Sequence, residues 1–233
     1  MTKQELTREL QKLGIENTNE VSDKLENLML ATLKTNEQFN LTAIKDENKF
    51  RELMLLDSVY PFMYVNFENK KIIDVGTGAG YPGLVLASLS NSAITLLDST
   101  NKKVEFCRNF ASNNGYFHVN CVNSRAEDYA KDHREEYDIA TARAVSELNV
   151  LLELVLPLVK VNGFFIALKG AKGLEELKAC ENALKKLGGE VYKIDEFELP
   201  ESKEKRVNIV IKKVSSTNKK YPRQYSEIVK SPL

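Results

Sequence analysis

The stretch that decides the fold of this 233-residue chain is Asp74-Val75-Gly76-Thr77-Gly78-Ala79-Gly80-Tyr81-Pro82-Gly83. A short apolar run, residues 71–75, leads into it, and another apolar run begins at Leu84. This order is typical of a strand, a tight turn and a helix. Glycines in such a turn let the backbone bend sharply and let a ligand approach without meeting a β-carbon. Three of them also satisfy the dinucleotide pattern G-x-G-x-x-G, which is weakly specific when it stands alone.

A strand–helix rhythm continues from this turn to about residue 213. The sequence predicts parallel strands at 71–75, 93–98, 118–122, 137–141 and 163–168, with apolar or charged helices between them. Residues 190–199 and 206–212 alternate apolar and polar side chains, which is typical of an antiparallel pair. We therefore expect an α/β fold with a doubly wound, mostly parallel sheet of seven strands and an antiparallel C-terminal strand.

The two ends of the chain differ from this rhythm. Apolar residues at helical spacing predict an N-terminal helical cap over residues 1–65, with its third helix running from Asp46 to about Tyr60. Residues 66–213 form the sheet domain in this interpretation. Residues 214–233 hold a Ser-Ser-Thr-Asn run, two prolines and many charges, and the sequence predicts an extended basic tail there.

Composition and charge exclude several classes of protein. With 42% hydrophobic residues the chain is not a disordered protein, and 33 basic against 33 acidic residues exclude a generally basic nucleic-acid coat protein. Residues 200–233 nevertheless hold nine basic and three acidic side chains. This excess of positive charge has two interpretations, a solvated end of the chain or an arm that attracts phosphate. The two histidines and three cysteines lack metal-ligand spacing, so we expect no metal and reduced thiols. No signal peptide or membrane span is expected, which predicts a cytoplasmic protein.

Two aspartates at strand ends point to the ligand. Asp74 ends the first strand, where an anion suits a cationic or amino-bearing ligand better than a pyrophosphate. Asp98 ends the second strand, where a carboxylate accepts hydrogen bonds from ribose hydroxyls. A nucleoside with a positively charged aminoacyl arm fits this pattern, and S-adenosylmethionine (SAM) is such a molecule. A nicotinamide dinucleotide and a purely structural turn with two solvated aspartates remain alternatives.

Three further candidates lie at the carboxyl ends of later strands. The loop after the third strand could frame an adenine, with Ala126 leaving room and Glu127 bonding the base edge. The same residues also predict a helix start with Ser124 and Glu127 as a capping box. Arg143 follows the fourth strand and is placed to meet a cofactor carboxylate or a substrate phosphate, unless it is a surface arginine. Lys169, at the end of the fifth strand, is a similar candidate for substrate positioning.

Several motifs in one order resemble a known family. They are Asn40-Leu41-Thr42-Ala43-Ile44, Leu56-Asp57-Ser58, the glycine turn, Leu97-Asp98-Ser99, Ser124-Arg125-Ala126-Glu127, Thr141-Ala142-Arg143-Ala144-Val145 and Ala167-Leu168-Lys169-Gly170. Together they resemble the bacterial RsmG family, also called glucose-inhibited division protein B. The likeness runs from about residue 36 to residue 213. The glycine turn is shared by many methyltransferases, whereas the whole ordered set is specific.

The resemblance implies a class I SAM-dependent methyltransferase fold (Rossmann-like) and methylation of guanine N7 in the decoding-site (530) loop of 16S ribosomal RNA. It implies that SAM is contacted by five residues, namely Gly76, Tyr81, Ala126, Glu127 and Arg143. It also implies Asp98 as the partner of the ribose. From the residues themselves we add Asp74, Gly78 and Gly80 to the expected cofactor site. Met54 stands where the family has a histidine, which puts any function of that histidine in doubt here.

The chemistry that the resemblance implies needs no general base, because guanine N7 offers a lone pair and no proton. In agreement, the fourth strand is not followed by the Asn-Pro-Pro-Tyr-like motif of enzymes that methylate exocyclic amines. We expect 16S rRNA or the 30S particle as partner, and a monomer without an obligatory protein partner. The alternatives are a non-catalytic RNA-binding protein of the same fold and a small-molecule methyltransferase whose cap acts as a lid.

Overall fold

The computed structural model describes all 233 residues and has a seven-stranded sheet at its centre. The strands are β1 (Lys71–Val75), β2 (Ala93–Asp98), β3 (Val119–Asn123), β4 (Tyr137–Arg143), β5 (Val159–Gly170), β6 (Gly189–Glu198) and β7 (Lys205–Lys213). Their order is β3-β2-β1-β4-β5-β7-β6, in which β1 to β5 pair in parallel and β7 is antiparallel to both of its neighbours. The predicted fold class, including the antiparallel C-terminal strand, is confirmed.

Eleven α-helical segments surround the sheet. They are α1 (Lys3–Lys12), α2 (Thr18–Asn36), α3 (Glu47–Phe50), α4 (Asp57–Val59), α5 (Gly83–Leu89), α6 (Asn101–Asn113), α7 (Ala126–Asp132), α8 (Leu148–Val155), α9 (Gly173–Lys178), α10 (Glu181–Leu187) and α11 (Tyr225–Lys230). A π-helical turn, Arg51–Leu56, joins α3 to α4, and a 3-10 turn, Tyr60–Met63, follows α4. None of the helices has both the length and the apolar character needed to cross a membrane.

The N-terminal helices lie on one side of the sheet, where α2 packs against α5 and α6. Leu25, Leu28 and Met29 of α2 are fully buried in the same apolar cluster as Leu84 of α5 and Ile72 of β1. A second cluster on the other face joins α8, α10 and α11 to the inner strands. Because the cap and the sheet share one core, the position of the cap relative to the strand ends is fixed by burial of apolar surface.

Two predicted elements differ in extent. Strand β5 runs from Val159 to Gly170 where the sequence predicts only 163–168, because it pairs with β4 on one side and β7 on the other. The single charged helix expected around 174–187 is two helices, α9 and α10, which are separated at Ala179 and Cys180.

The expectation of an extended basic tail is wrong, because residues 214–233 fold back onto the sheet domain. Tyr221 and Ile228 are buried in the second apolar cluster. The fully buried carboxylate of Glu153 in α8 accepts hydrogen bonds from Arg223, at 2.9 Å from its amide nitrogen, 2.8 Å from Nε and 2.6 Å from Nη2. Lys213 is likewise buried, and its Nζ donates to the carbonyl of Leu156. Basic residues of this region therefore serve internal contacts.

The Arg223–Glu153 pair should hold the C-terminal segment in place. Removing one partner of a buried ion pair costs about 3–5 kcal/mol, since the other charge stays buried and unpaired. We expect Arg223→Ala to release α11, which hydrogen-exchange mass spectrometry would record as lost amide protection over residues 225–230 with the sheet unchanged. Lys219→Ala, an exposed cation in the same segment, is the matched control and should leave protection as it is. Equal protection in both variants would contradict this role of the pair.

Candidate functional site

The glycine turn is held by the carboxylate of Asp74, which is fully buried. Its Oδ2 accepts hydrogen bonds from Thr77 Oγ1 at 2.6 Å and from the amide of Gly83 at 2.9 Å, and its Oδ1 accepts one from Thr141 Oγ1 at 3.0 Å. Burial raises the pKa of Asp74 to about 6, although these hydrogen bonds oppose the shift. Both oxygens of Asp74 thus accept hydrogen bonds from within the protein: from the turn, from the start of α5 and from β4.

Gly76 lies where the turn meets the sheet ends. Its φ of +70° is in the region that favours glycine, and a β-carbon there would lie 2.4 Å from Val145 Cγ2. Gly78 donates its amide to Asp98 Oδ2 at 2.9 Å, which ties the turn to the end of β2. Gly80 packs against the side chain of Leu84 in the core. The three glycines therefore shape the turn in different ways, and Gly76 is the one that faces a cavity.

A cavity of about 310 Å³ opens at the carboxyl ends of β1, β2, β3 and β4, next to the point where the strand order reverses. We call it the first cavity. Its walls combine the strand ends with side chains from the helices beyond them: Val75, Gly76, Leu97, Asp98, Ser99, Thr100, Lys103, Ser124, Arg125, Ala126, Glu127, Ala144, Val145, Leu154 and Tyr225. Ligands of doubly wound sheets bind at this place.

Two of the expected acidic residues, Asp98 and Glu127, line the first cavity, whereas Asp74 does not. Asp98 has its Oδ1 bonded by the amide of Thr100 at 2.8 Å and its Oδ2 bonded by Gly78, so the carboxylate is held in one orientation. Glu127 is 5% exposed and accepts a hydrogen bond from Arg125 Nε at 3.0 Å. The expected Ser124–Glu127 capping box is wrong, because α7 begins after Arg125 without a side-chain cap.

Tyr225 is a wall of the first cavity that the sequence analysis missed. It comes from α11, and the guanidinium of Arg125 lies over its ring at 4.6 Å from the centroid. The signal was present: Tyr221, Tyr225 and Ile228 are spaced by four and three residues, as on one face of a helix. The prolines and charges around them favoured the interpretation as a tail.

A second cavity of about 510 Å³ lies beside the first, and Ala144 lines both. It is bounded by the cap, by the ends of β4 and β5, and by β7, through Ile44, Leu53, Met54, Asp57, Arg143, Ala144, Leu168, Lys169, Gly170, Glu176, Glu204 and Arg206. Three cations and three carboxylates are among these residues. We call it the second cavity; it is the only one of the two to which residues 1–65 contribute.

Arg143 lies in the second cavity, not in the first. Its Nη1 donates to the carbonyl of Leu53 at 3.1 Å and is 3.8 Å from Asp57 Oδ2, while Nη2 is 3.2 Å from the sulfur of Met54. Burial lowers the pKa of Arg143, which the charge of Asp57 opposes. Lys169 lines the same cavity and donates to the carbonyl of Ser146 at 2.7 Å, with Glu176 Oε2 at 2.6 Å. The two candidates for substrate positioning thus line the same cavity, and Arg143 does not line the first one.

Tyr81, expected to contact the cofactor, lies outside both cavities. It is 3% exposed, its hydroxyl is 2.8 Å from Thr32 Oγ1 in α2, and its ring meets Phe50 edge-on with centroids 5.6 Å apart. Its contacts hold the cap against the glycine turn.

Comparisons with known proteins bear on the family and on the fold. The family described as GidB, rRNA small subunit methyltransferase G, matches residues 21–209. Ribosomal RNA small subunit methyltransferase G of Staphylococcus epidermidis is 41% identical over 231 residues, 98% of this chain and 97% of that protein. The protein of the same description from Clostridium beijerinckii is 39% identical over 232 residues, with 98% and 97% covered.

Among solved structures, a SAM-dependent methyltransferase from Aquifex aeolicus superposes with a TM-score of 0.55 at 17% identity, covering 77% of this chain and 97% of that one. This likeness bears on the fold alone. With a family match over most of its length and relatives near 40% identity, the chain belongs to the rRNA small subunit methyltransferase G family.

Proposed function

We propose that this protein transfers the methyl group of SAM to N7 of a guanine in the decoding-site loop of 16S ribosomal RNA, by direct displacement without a general base. SAM-dependent methylation of small-subunit rRNA follows from family membership. The observation that supports the finer proposal is the pair of adjoining cavities, which meet at Ala144 and allow a cofactor and a base to be held side by side.

The residues of the first cavity fit SAM. Asp98 offers a fixed carboxylate to the ribose hydroxyls, and Ala126, Leu154 and Tyr225 offer apolar and aromatic surface to the adenine. Gly76 lines this cavity with bare backbone, and the side chain of Val145 packs against it where a β-carbon would otherwise stand. The site thus combines an apolar lining with a few fixed polar groups, as small-molecule sites do.

In this reaction the protein has to align guanine N7 with the methyl group of SAM. When bound, SAM supplies an electrophilic methyl group on a sulfonium. Because guanine N7 attacks through a free lone pair, no residue has to remove a proton. In this proposal the second cavity holds the base, and Arg143 and Lys169 are the cationic donors there that can meet the RNA. Alignment of this kind contributes about 7–11 kcal/mol in favourable cases.

The substrate form and the location of the protein belong to the same proposal. We propose that it acts in the cytoplasm as a monomer on 16S rRNA, either as naked RNA or within the 30S particle. The basic residues that stay exposed near the C-terminus, Lys219, Lys220 and Lys230, provide charge for phosphate contacts.

The proposal is tested by methyl transfer with labelled SAM to 16S rRNA, both naked and assembled into 30S particles. The methylated nucleotide is then identified by mass spectrometry. We expect 7-methylguanosine at one site in at least one of the two substrates. Replacing the target guanosine by 7-deazaguanosine removes the nucleophile and should abolish transfer. Methylation of the 7-deaza RNA, or no transfer to either rRNA form, would overturn the proposed reaction; transfer to free guanosine alone would favour the small-molecule alternative.

A second prediction concerns Asp98 as the ribose partner. Asp98→Ala should weaken SAM binding by about 1.5–3 kcal/mol, the range for a hydrogen bond to a charged group. Because the variant also loses the bonds to Gly78 and Thr100, an analogue of SAM without ribose hydroxyls isolates the ribose contact. Calorimetry should show that this analogue binds less tightly than SAM to the wild type, and equally tightly to the variant. Additive losses would contradict the assignment.

A third prediction makes the C-terminal segment part of the cofactor site. Tyr225→Ala removes a wall of the first cavity and its contact with Arg125, so SAM should bind about fivefold less tightly, while Tyr225→Phe keeps the ring and should bind nearly as the wild type does. Tyr192→Ala, an exposed tyrosine on β6, is the control. Unchanged affinity in Tyr225→Ala would show that the ring does not contact the ligand.

A further inference from the structure

One polar atom at the second cavity has no partner. Asp57 is 4% exposed, and its Oδ2 accepts a hydrogen bond from Arg206 Nε at 3.0 Å, with Arg143 Nη1 at 3.8 Å. Its Oδ1 is buried and accepts no hydrogen bond. Buried polar atoms in native proteins are nearly always satisfied, so each exception calls for an explanation. An ion pair with two arginines accounts for one oxygen of this carboxylate and not for the other.

The polar groups around this atom form a pattern that matches one base. A carboxylate accepts two neighbouring N–H groups, and the guanidinium groups of Arg143 and Arg206 flank it as donors. The Watson–Crick edge of guanine presents the complement: O6 as acceptor, followed by N1–H and the N2 amino group as donors. Adenine has a donor at the O6 position and a lone pair at N1, and uracil has an acceptor in place of the N2 amino group. Adenine and uracil would each place a lone pair against the Asp57 carboxylate, which can only accept hydrogen bonds.

We propose that the second cavity is a guanine-binding pocket in which Asp57 accepts hydrogen bonds from N1–H and the N2 amino group of the target base, and an arginine donates to O6. This inference rests on the proposed function, since it specifies how that site selects its substrate. Asp57 is a recognition residue here: it contacts the base and takes no part in bond making.

The position of the pocket agrees with reaction at N7. On a guanine, N7 lies on the side of the ring system away from N2, so a base held by its Watson–Crick edge keeps the N7 lone pair free. Ala144 lines both cavities and has a φ of +54°, a backbone conformation that is uncommon outside glycine. Strained backbone of this kind persists where surrounding structure enforces it, often at functional sites. Here it marks the junction across which the methyl group would pass.

The contacts that close the pocket are weak enough to be exchanged for a base. Arg143 Nη2 has the sulfur of Met54 as its acceptor, and a thioether is a poor one. O6 of a guanine would be a better partner for that donor. Met54 is also unbranched and flexible, so its side chain can move aside and leave Arg143 Nη2 free for a base.

The test compares guanosine with inosine, which lacks only the N2 amino group and keeps N7. 16S rRNA ligated with guanosine, inosine or 7-deazaguanosine at the target position is offered to wild-type protein, to Asp57→Asn and to Glu26→Gln. We expect the wild type to prefer guanosine over inosine about 10- to 100-fold in kcat/KM. In Asp57→Asn the amide oxygen must serve Arg206, which turns the NH₂ group toward the base, so the preference should fall to about twofold. Glu26→Gln changes a carboxylate that pairs with another arginine of the cap, Arg51, outside the second cavity, and should keep the wild-type preference.

Each outcome separates the pocket from its alternatives. If Asp57→Asn lowers kcat/KM for guanosine and inosine equally, Asp57 only clamps the cap to β4 and β7, and the inference is wrong. If the wild type methylates inosine RNA as fast as guanosine RNA, the inference is wrong whether or not the variant folds, which thermal unfolding and SAM binding would report. Methylation of the 7-deaza RNA would instead overturn the proposed function, and the inference with it.

Discussion

The carboxylate of Asp74 is the constraint on which the site depends. It is fully buried, and burial of a charge is tolerated only when hydrogen bonds or opposite charges compensate it. Here three donors do so, and they come from three places: Thr77 in the turn, Gly83 at the start of α5 and Thr141 in β4. One side chain thus joins two neighbouring strands to the loop between strand and helix. Because the loop is fixed in this way, the amide of Gly78 is presented to Asp98, and the carboxylate of Asp98 is oriented at the rim of the first cavity.

A second buried carboxylate, Asp57, organises the other side of the site. It lies in the cap, and its neighbours Arg143 and Arg206 come from β4 and β7. Burial raises the pKa of Asp57, and the two guanidinium groups oppose that shift. Buried charge clusters are weak evidence for stability, because apolar residues of similar volume often serve as well. A cluster retained at the wall of a cavity is better understood as a set of fixed donors and acceptors for a ligand.

Features that depend on residues close together in the sequence, such as strands, were predicted well. The strands β1 and β2 were placed by their apolar runs, and Asp98 was placed in the crevice because carboxyl ends of parallel strands meet at one edge. Contacts between distant residues were not predictable. Asp74 was assigned to a ligand because nothing local reveals that Thr141 would take its Oδ1. Arg143 lines the second cavity because the cap packs beside it and supplies Leu53 and Asp57 as its partners. Tyr225 lines the first cavity in a segment that Arg223 attaches to Glu153 of α8.

In the proposed function the two cavities divide the chain between cofactor and substrate, and this division argues against the cap as a moving lid. Residues 1–65 contribute nothing to the first cavity and four side chains to the second. Yet the cap shares its apolar core with the sheet, and opening it would expose Leu25, Leu28 and Met29 of α2 to water. A cap held this firmly leaves the second cavity to be reached from its open side, which suits a substrate that brings one base into a preformed pocket. RNA-modifying enzymes meet this requirement by taking the target base out of its stack, and a loop, whose bases are already partly unstacked, lowers the free energy needed to do so.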